Sequence, residues 1–335
     1  MFYPLGSKAD ISTADSGRFY NRMMLRGLLF LCMQIALVAH AQFPSRAIRV
    51  FVPTTAGGVP DVLARTVGQR MAESLGQPVV IENRAGAGGI LAAEAVLKSP
   101  ADGHTLFLGD TGNYAVSAAL YAKFPYDVQR DFVPVVLAAA PPVYAVSNSY
   151  ATLEDFLRAA RSGNVAYGST GNGNVTHLAM ELLRSLTGVN LTHVPYKGAA
   201  GLAPALLSGD VPIAFIGYSV MAPHAKTGKV RVLAVSTPQR STLTPDIPTV
   251  AEAGVPGYGF DISMGYLAPA GTPRSVVQRL NAEINAVLKI PEVRRILDTA
   301  GIPAVGGTPE AFGAQIRSEV ALMAKVVKDA GLQVE

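Results

Sequence analysis

A short loop after a β-branched run carries the residue types of an anion-binding site. The stretch "IRVFVPTTAGGVPD" begins as a strand, turns through two glycines and opens an amphipathic helix near Pro60. The first amides of a helix have no intrahelical acceptor and carry partial positive charge, which suits a carboxylate or phosphate. The candidate binding residues here are Thr54, Thr55, Ala56, Gly57, Gly58 and Asp61. The glycines are equally compatible with a tight structural turn.

A second glycine loop has the same strand-to-helix setting, within "YGSTGNGNVTHLAMELL". Two such loops, one from each half of the chain, can face each other across a cleft. Neither loop contains Lys or Arg, so an anion would be met by neutral donors and water. The candidate residues are Ser169, Thr170, Gly171, Asn172, Gly173 and His177. We expect His177 to pack or cap the helix start rather than act as a general base, and Asp61 to cap its own first turn unless the ligand carries an amino group.

Two further glycine-containing loops give weaker evidence of a binding site. The stretch "THVPYKGAAG" places Tyr196, Lys197 and Gly198 between a strand and a helix, where a ligand contact and a structural turn are both open. The glycine loop Gly86 to Gly89 is interpreted as a structural turn, with Asn83 and Arg84 as possible donors at the rim.

The same loops lack the motifs of catalysis. No Gly-Lys-Ser/Thr follows the first loop and its glycines do not have the G-x-G-x-x-G spacing, so nucleotide and dinucleotide sites are unsupported. Ser169 directly follows Gly168, so there is no G-x-S-x-G nucleophile elbow. The histidines outside the N-terminal segment lack metal-ligand spacing; they are His104, His177, His193 and His224. No close carboxylate pair indicates acid–base work, although Asp61 and Asp210 can in principle meet in space. We predict no catalytic residue, metal or cofactor.

Short β-rich runs alternate with helical stretches from Arg46 onward, which predicts mostly parallel α/β sheets. Two segments rich in Ala, Pro and Gly separate the sets of strands. We interpret them as crossings between two lobes, one of residues 42–142 and 265–335 and the other of residues 143–264. Thr272-Pro273 and Thr308-Pro309 each predict an N-cap threonine before an N1 proline, opening two C-terminal helices. This arrangement is typical of a protein that binds a ligand in the cleft between two lobes.

The N-terminus has the pattern of a secretory signal. Arg22 and Arg26 precede an apolar stretch from Leu28 to Ala39, and Ala39-His40-Ala41 has the small-residue cleavage pattern. The apolar stretch falls short of the roughly 20 residues that span a bilayer. We predict a signal peptide at 23–41, cleaved after Ala41, preceded by an extension at 1–22 that is absent if translation starts at Met23 or Met24.

Composition sets further bounds. The chain has 335 residues, 49% of them apolar and 16% charged, which is enough for a large core and favours two domains. The net charge is +4 without a long basic run, so nucleic acid is not an expected partner. The single cysteine, Cys32, lies inside the signal segment, so the mature chain would contain no disulfide.

The loops resemble those of the Bug/TctC family, the periplasmic solute-binding receptors of tripartite tricarboxylate transporters. The resemblance covers nearly all of residues 46–335 in the family's order. The matching pieces are "VPTTAGGVPDVLAR", "GQPVVIENRAGAGGILAAEAV", "SPADGHTL", "YGSTGNGNVTHLAMELL", "THVPYKGAAGLAPALLSGDV", "GKVRVLAVSTPQRS", "PDIPTVAEAG" and "LAPAGTP". It implies a type II periplasmic-binding-protein fold, with two lobes around a central cleft, and a small carboxylate held largely by loop main chain, hydroxyls and water.

Several positions depart from the family pattern near the expected cleft. Thr54-Thr55 stands where a Pro-Ala or similar pair is common, and Val59-Pro60 replaces a frequent Pro-Thr or Pro-Ser pair. Gly217-Tyr218 stands where an Asp often follows the strand, and Met264 where a Trp is frequent. We include Gly217 and Tyr218 among the candidate binding residues.

The sequence thus predicts a monomeric periplasmic receptor for a dicarboxylate, an acidic amino acid or an aromatic acid, without catalysis. Its expected partners are the membrane permease subunits of a tripartite tricarboxylate-type transporter. Two alternatives stay open at this stage: a ligand sensor coupled to a membrane kinase, and an exported α/β hydrolase.

Overall fold

The computed structural model describes residues 43–332, and the predicted signal peptide, its cleavage site and Cys32 lie outside this range. Ten strands form two five-stranded sheets. Numbered along the chain, the strands are β1 (Ile48–Val52), β2 (Val79–Asn83), β3 (Thr105–Asp110), β4 (Phe132–Ala139), β5 (Val143–Ser147), β6 (Val165–Ser169), β7 (Leu191–Pro195), β8 (Ile213–Gly217), β9 (Arg231–Val235) and β10 (Met264–Pro269).

Helices connect the strands and close the chain. A 3₁₀ turn at Ala87–Gly89 and a π-helical turn at Gly112–Val116 each lead into an α-helix. The α-helices are α1 (Val59–Leu75), α2 (Ile90–Leu97), α3 (Ser117–Leu120), α4 (Val128–Asp131), α5 (Leu153–Ser162), α6 (Val175–Thr187), α7 (Gly198–Ser208), α8 (Tyr218–Lys226), α9 (Arg274–Leu288), α10 (Pro291–Thr299) and α11 (Pro309–Asp329).

Both sheets have the same plan. The first has the order β2-β1-β3-β10-β4 and the second β7-β6-β8-β5-β9. In the first sheet β10 runs antiparallel to both of its neighbours, and in the second sheet β5 does the same. Four strands of each sheet therefore point one way and one is reversed, which confirms the expectation of mostly parallel α/β sheets.

Burial follows the hydrophobic pattern of the elements. The β1 strand is β-branched and almost wholly buried, and α1 buries Leu63, Val67 and Met71 on the side that packs against β1 and β2. Helix α9 packs on β4 and α1, whereas α11 packs on β4, α3 and α6. Among residues 43–332, no helix combines the length and apolarity needed to cross a bilayer.

The two predicted threonine caps have different outcomes. Thr308 is the N-cap of α11 and its hydroxyl accepts a hydrogen bond from the Ala311 amide at 3.2 Å, as predicted. The prediction for Thr272 is wrong. Helix α9 begins one residue later, at Arg274, because the Thr272 hydroxyl donates to the Pro269 carbonyl at 2.8 Å instead of accepting from the helix.

Candidate functional site

A cavity of about 460 Å³ lies where elements attached to the two sheets meet. Its volume suits a small organic molecule. Of the residues predicted from sequence, five line it: Thr54, Thr170, Gly171, Asn172 and Gly173. The other described lining residues are Gly88, Asp110, Gly112, Asn113, Val116, Ser117, Leu120, Tyr121, Asn174 and Val175.

One wall is built at the carboxyl ends of two adjacent parallel strands. Because Phe51 of β1 pairs with Phe107 of β3, the same register carried three residues further brings Thr54 beside Asp110. The Thr54 hydroxyl oxygen is buried and makes no hydrogen bond to any described residue. A buried hydroxyl without a partner is costly, so Thr54 is a residue of the cavity wall whose hydrogen-bonding capacity is unsatisfied. We use the name "first wall" for the lining residues Thr54, Gly88 and Asp110 together with the lining residues between 112 and 121.

Sequence reasoning missed most of the first wall. The turn after β3 was not among the candidates, although "GDTGN" is another strand-to-helix junction rich in turn residues. There the π-helical turn presents Gly112, Asn113 and Val116 to the cavity. Such turns occur frequently at functional sites. The Gly86 to Gly89 loop also contributes, since Gly88 lines the cavity.

The rest of the first loop is held by Asp61. Its carboxylate accepts hydrogen bonds from the Gly57 amide at 2.8 Å, from Arg65 at 3.0 Å and from Asn83 at 2.9 Å. Burial alone would raise the pKa of Asp61, but these hydrogen bonds lower it. Thr55, Ala56 and Gly57 are exposed and, like Gly58 and Asp61, do not line the cavity. Their contact with a ligand stays a prediction.

The opposite wall, which we call the second wall, comprises Thr170 to Val175 at the start of α6. Asn174 is the N-cap of this helix, but its side chain makes no capping hydrogen bond. The first amides of α6 thus offer donors and the positive end of the helix dipole at the cavity. Gly173 (φ 67°) approaches Leu120 so closely that an added Cβ would stand 2.5 Å from its Cδ1. A side chain at position 173 would therefore displace the Leu120 side chain and would be strained at this positive φ.

Behind the second wall lies a stack of neutral aromatic rings. His177 and His193 are parallel, with ring centroids 3.7 Å apart, and Tyr167 stacks on His193. The Gly173 amide donates to His177 Nδ1 at 3.0 Å, so the ring supports the loop from within. Burial, with the neighbouring His193, lowers the pKa of His177 to about 4, and burial lowers the pKa of His193 as well. The expected packing role of His177 agrees with this placement.

Within the described range, Ser169 and His193 form a contact that resembles a nucleophile and its base. The Ser169 hydroxyl and His193 Nε2 are 2.6 Å apart. However, Ser169 is fully buried, its hydroxyl also interacts with Gly171, and neither residue lines the cavity. A substrate carbonyl cannot approach a hydroxyl in that position, so the geometry favours a structural pair.

The remaining candidates support the second wall or lie apart from it. The amides of Tyr196 and Gly198 donate to the carbonyls of Ser169 and Thr170, which fixes the neighbouring loop, and Lys197 is exposed. Gly217 and Tyr218 join β8 to α8, and the Tyr218 ring lies 6.1 Å from that of Tyr144. None of these lines the cavity, and their role in binding stays a prediction.

A buried carboxylate stands behind the first wall. Glu319 of α11 accepts hydrogen bonds from Thr111 and Tyr114 at 2.8 Å, from Gln315 at 2.9 Å and from Ser263. Burial raises the pKa of Glu319. Burial, together with the nearby Glu319 charge, raises the pKa values of Asp110 and Asp261 to about 6.

A second cavity in the described part of the chain has weaker chemical support as a binding site. A larger cavity of about 570 Å³ lies beside α5 and β9, but the loop residues predicted from sequence do not line it. Within residues 43–332, no group of three or more His, Cys, Asp or Glu side chains is arranged to hold a metal ion.

Comparisons with known proteins agree with this architecture. Residues 63–332 match the family described as "Tripartite tricarboxylate transporter family receptor", TctC. Protein BugT of Bordetella pertussis is 35% identical over 306 residues, which cover 90% of this chain and 94% of that protein.

Two solved structures from Rhodopseudomonas palustris are similar over the whole fold. The structure of Rpa4515 with adipate has a TM-score of 0.75 at 36% identity and covers 87% of this chain and 99% of that chain. The structure of MatC (Rpa3494) with bound malate has a TM-score of 0.71 at 33% identity, and the match covers 85% of this chain and 100% of that chain. These likenesses confirm the periplasmic-binding-protein fold. The chain belongs to the TctC family of tripartite tricarboxylate transporter receptors, and it is a solute-binding protein.

Proposed function

We propose that this protein captures a small carboxylate in the cavity between the first and second walls and delivers it to the membrane permease subunits of a tripartite tricarboxylate-type transporter. The observation that carries the proposal is the pairing of an unpartnered, buried Thr54 hydroxyl with the uncapped start of α6 across about 460 Å³. Neutral donors of this kind bind a carboxylate without a lysine or arginine.

The relatives support the ligand class. Adipate and malate, which are bound in the structures of Rpa4515 and MatC, are both dicarboxylates. A dicarboxylate, an acidic amino acid or an aromatic acid fits the cavity by volume. No chemical step is part of the proposal, because neither Ser169 nor His193 lines the cavity.

Movement of two lobes is the second element of the proposal. Residues 42–142 with 265–335 would form one lobe and residues 143–264 the other, and ligand would bind between them. The division is supported by the sheets, since β1–β4 and β10 pair in one and β5–β9 in the other. Two chain crossings, after β4 and before β10, would serve as the hinge.

Export to the periplasm is the third element. It rests on the signal-like segment at 23–41 and on membership of a family of periplasmic receptors. We expect intact-mass measurement of a periplasmic extract to give a chain that begins at Gln42. A cytoplasmic product that retains Cys32 would contradict export.

A thermal-shift screen tests ligand capture. The panel contains C4 to C6 dicarboxylates, citrate, aspartate, glutamate and benzoate. A ligand at 100 times its Kd adds about 2.7 kcal/mol to the free energy of unfolding, which gives a clear shift of the melting temperature. If no carboxylate shifts the melting temperature while a neutral solute does, the proposed ligand class is wrong.

Two adjacent threonines give a matched test of position. Thr54 lines the cavity, whereas Thr55 is exposed and does not. A hydrogen bond to a charged group contributes about 1.5–3 kcal/mol, so Thr54→Val should weaken binding of the best panel ligand about tenfold or more by titration calorimetry. Because Thr55 does not line the cavity, Thr55→Val should weaken binding less than Thr54→Val does. The reverse order would move the carboxylate toward the exposed part of the loop.

A further inference from the structure

Asp110 is the charged group of the cavity. Among the described lining residues it is the only Asp or Glu, and no Lys, Arg or His is present. Its carboxylate accepts hydrogen bonds from the backbone amides of Gly112 and Asn113, the second at 3.0 Å. Within residues 43–332, no basic side chain forms a salt bridge with it.

Capping of the turn explains why a short side chain with an acceptor oxygen stands at position 110. It does not explain why that side chain is an acid. Asp110 and Asn113 exchange hydrogen bonds, each side chain accepting from the other's amide, so Asp110 caps the turn that follows β3. Asparagine caps a helix as well as aspartate does. An ionised carboxylate in a partly buried cavity without a cation is costly, and capping does not require it.

The two walls also differ in what they offer a ligand. The hydroxyl of Ser117 lies against the carbonyls of Gly88 and Gly112, and the Asn113 amide nitrogen points to Gly88. The side-chain donors of Ser117 and Asn113 are thus directed at the protein, and the Asp110 carboxylate is the acidic acceptor among the side chains of the first wall. The second wall offers the free amides at the start of α6. A ligand that matches both walls has a carboxylate at one end and a positively charged donor at the other.

We propose that the site selects carboxylates that carry a protonated amino group, and that Asp110 binds this group. The inference rests on the proposed function, because it assigns the ligand class of the same cavity. A dicarboxylate without an amino group would place its second charge near Asp110 with no cation to offset the repulsion, so Asp110 discriminates against it. A cavity of about 460 Å³ accommodates an amino acid with a short side chain.

The test uses pairs of probes that differ by one amino group. These are succinate with L-aspartate, glutarate with L-glutamate, and adipate with 2-aminoadipate. Titration calorimetry on the full mature chain should show that at least one amino acid binds tenfold or more tightly than its partner dicarboxylate. Asp110→Asn, which retains the cap, should lose that advantage and bind the dicarboxylate as well as or better than the wild type does. Asp246→Asn, an exposed aspartate outside the cavity, should leave both affinities unchanged.

The outcomes separate the two proposals. If the wild-type protein binds dicarboxylates as tightly as or more tightly than their amino counterparts, the Asp110 assignment is overturned while the carboxylate receptor stands. If no carboxylate of either kind binds, both fail. The wild-type comparison decides the question even if the Asp110 variant does not fold.

Discussion

The two walls of the cavity are supported by opposite kinds of titratable group. Behind the first wall stand the carboxylates of Glu319 and Asp261, whose pKa values are raised by burial. Behind the second wall stand the imidazoles of His177 and His193, whose pKa values are lowered by burial. The cause is the same, because a buried site disfavours the charged form of acid and base alike. Acidification therefore stabilises one side of the site and destabilises the other.

The largest expected effect comes from removing the acceptor behind the first wall. Glu319→Ala leaves the hydroxyls of Thr111, Tyr114 and Ser263 buried without their acceptor. Each such loss costs about 1–3 kcal/mol, and relief of the buried charge offsets part of the sum. We expect a net loss of about 3 kcal/mol in the free energy of unfolding, measured by urea denaturation at pH 7.

Two further variants show whether that loss comes from the hydrogen bonds. Glu319→Gln retains an acceptor and removes the charge, so it should cost about 1 kcal/mol or less. Ser318→Ala changes an exposed neighbour on the same helix and should have no measurable effect. An equal loss for the Ala and Gln variants would show that the charge, and not the hydrogen bonding, matters.

The second wall should respond to acid in the opposite direction. The folded-state pKa of His177 is about 4, below the ordinary value of 6.5. Between these values the unfolded chain binds more protons than the folded one, so this group's contribution to stability is lost as pH falls from 6.5 toward 4. His177→Gln should remove a pH-dependent loss of roughly 3 kcal/mol. Urea denaturation at pH 7 and at pH 4 gives the change in the free energy of unfolding between the two pH values for the wild type and for the variant. A packing cost that is the same at both pH values cancels in this comparison.

Asp261→Asn should produce a smaller change of opposite sign. The folded-state pKa of Asp261 is about 6, above the ordinary value of 3.8. The folded chain binds more protons between these values, so this group's contribution is present at pH 4 and lost as pH rises through 6. The variant should gain about 2 kcal/mol in the free energy of unfolding at pH 7 relative to pH 4. If both variants change the pH dependence in the same direction, the contrast between the walls is wrong.

Local chemistry made part of the site predictable. Strand-to-helix glycine loops are visible in sequence because turn residues occupy fixed positions, so Thr54 and Thr170 to Gly173 were found and line the cavity. The N-cap of α11 at Thr308 was found for the same reason.

The missing residues depend on contacts that are distant in sequence. Asp110 lies beside Thr54 only because β3 is the neighbour of β1 in the sheet. Glu319 reaches Thr111 across 208 residues, from a helix that the sequence analysis identified only by its N-terminal Thr308-Pro309. His177 and His193 meet because β6 and β7 are adjacent and parallel. None of these neighbours follows from spacing along the chain.

The reversed strand β10 has a consequence for the order in which the chain can assemble. It lies between β3 and β4, yet it is residues 264–269, long after β4 ends at Ala139. Until it arrives, the first sheet consists of a three-stranded piece and a detached strand, with unpaired edges that invite association with other chains. The second sheet needs only residues 143–235 and does not have to wait. We therefore expect folding to be limited by the late insertion of one central strand, a step that every nascent copy must complete before its cavity exists.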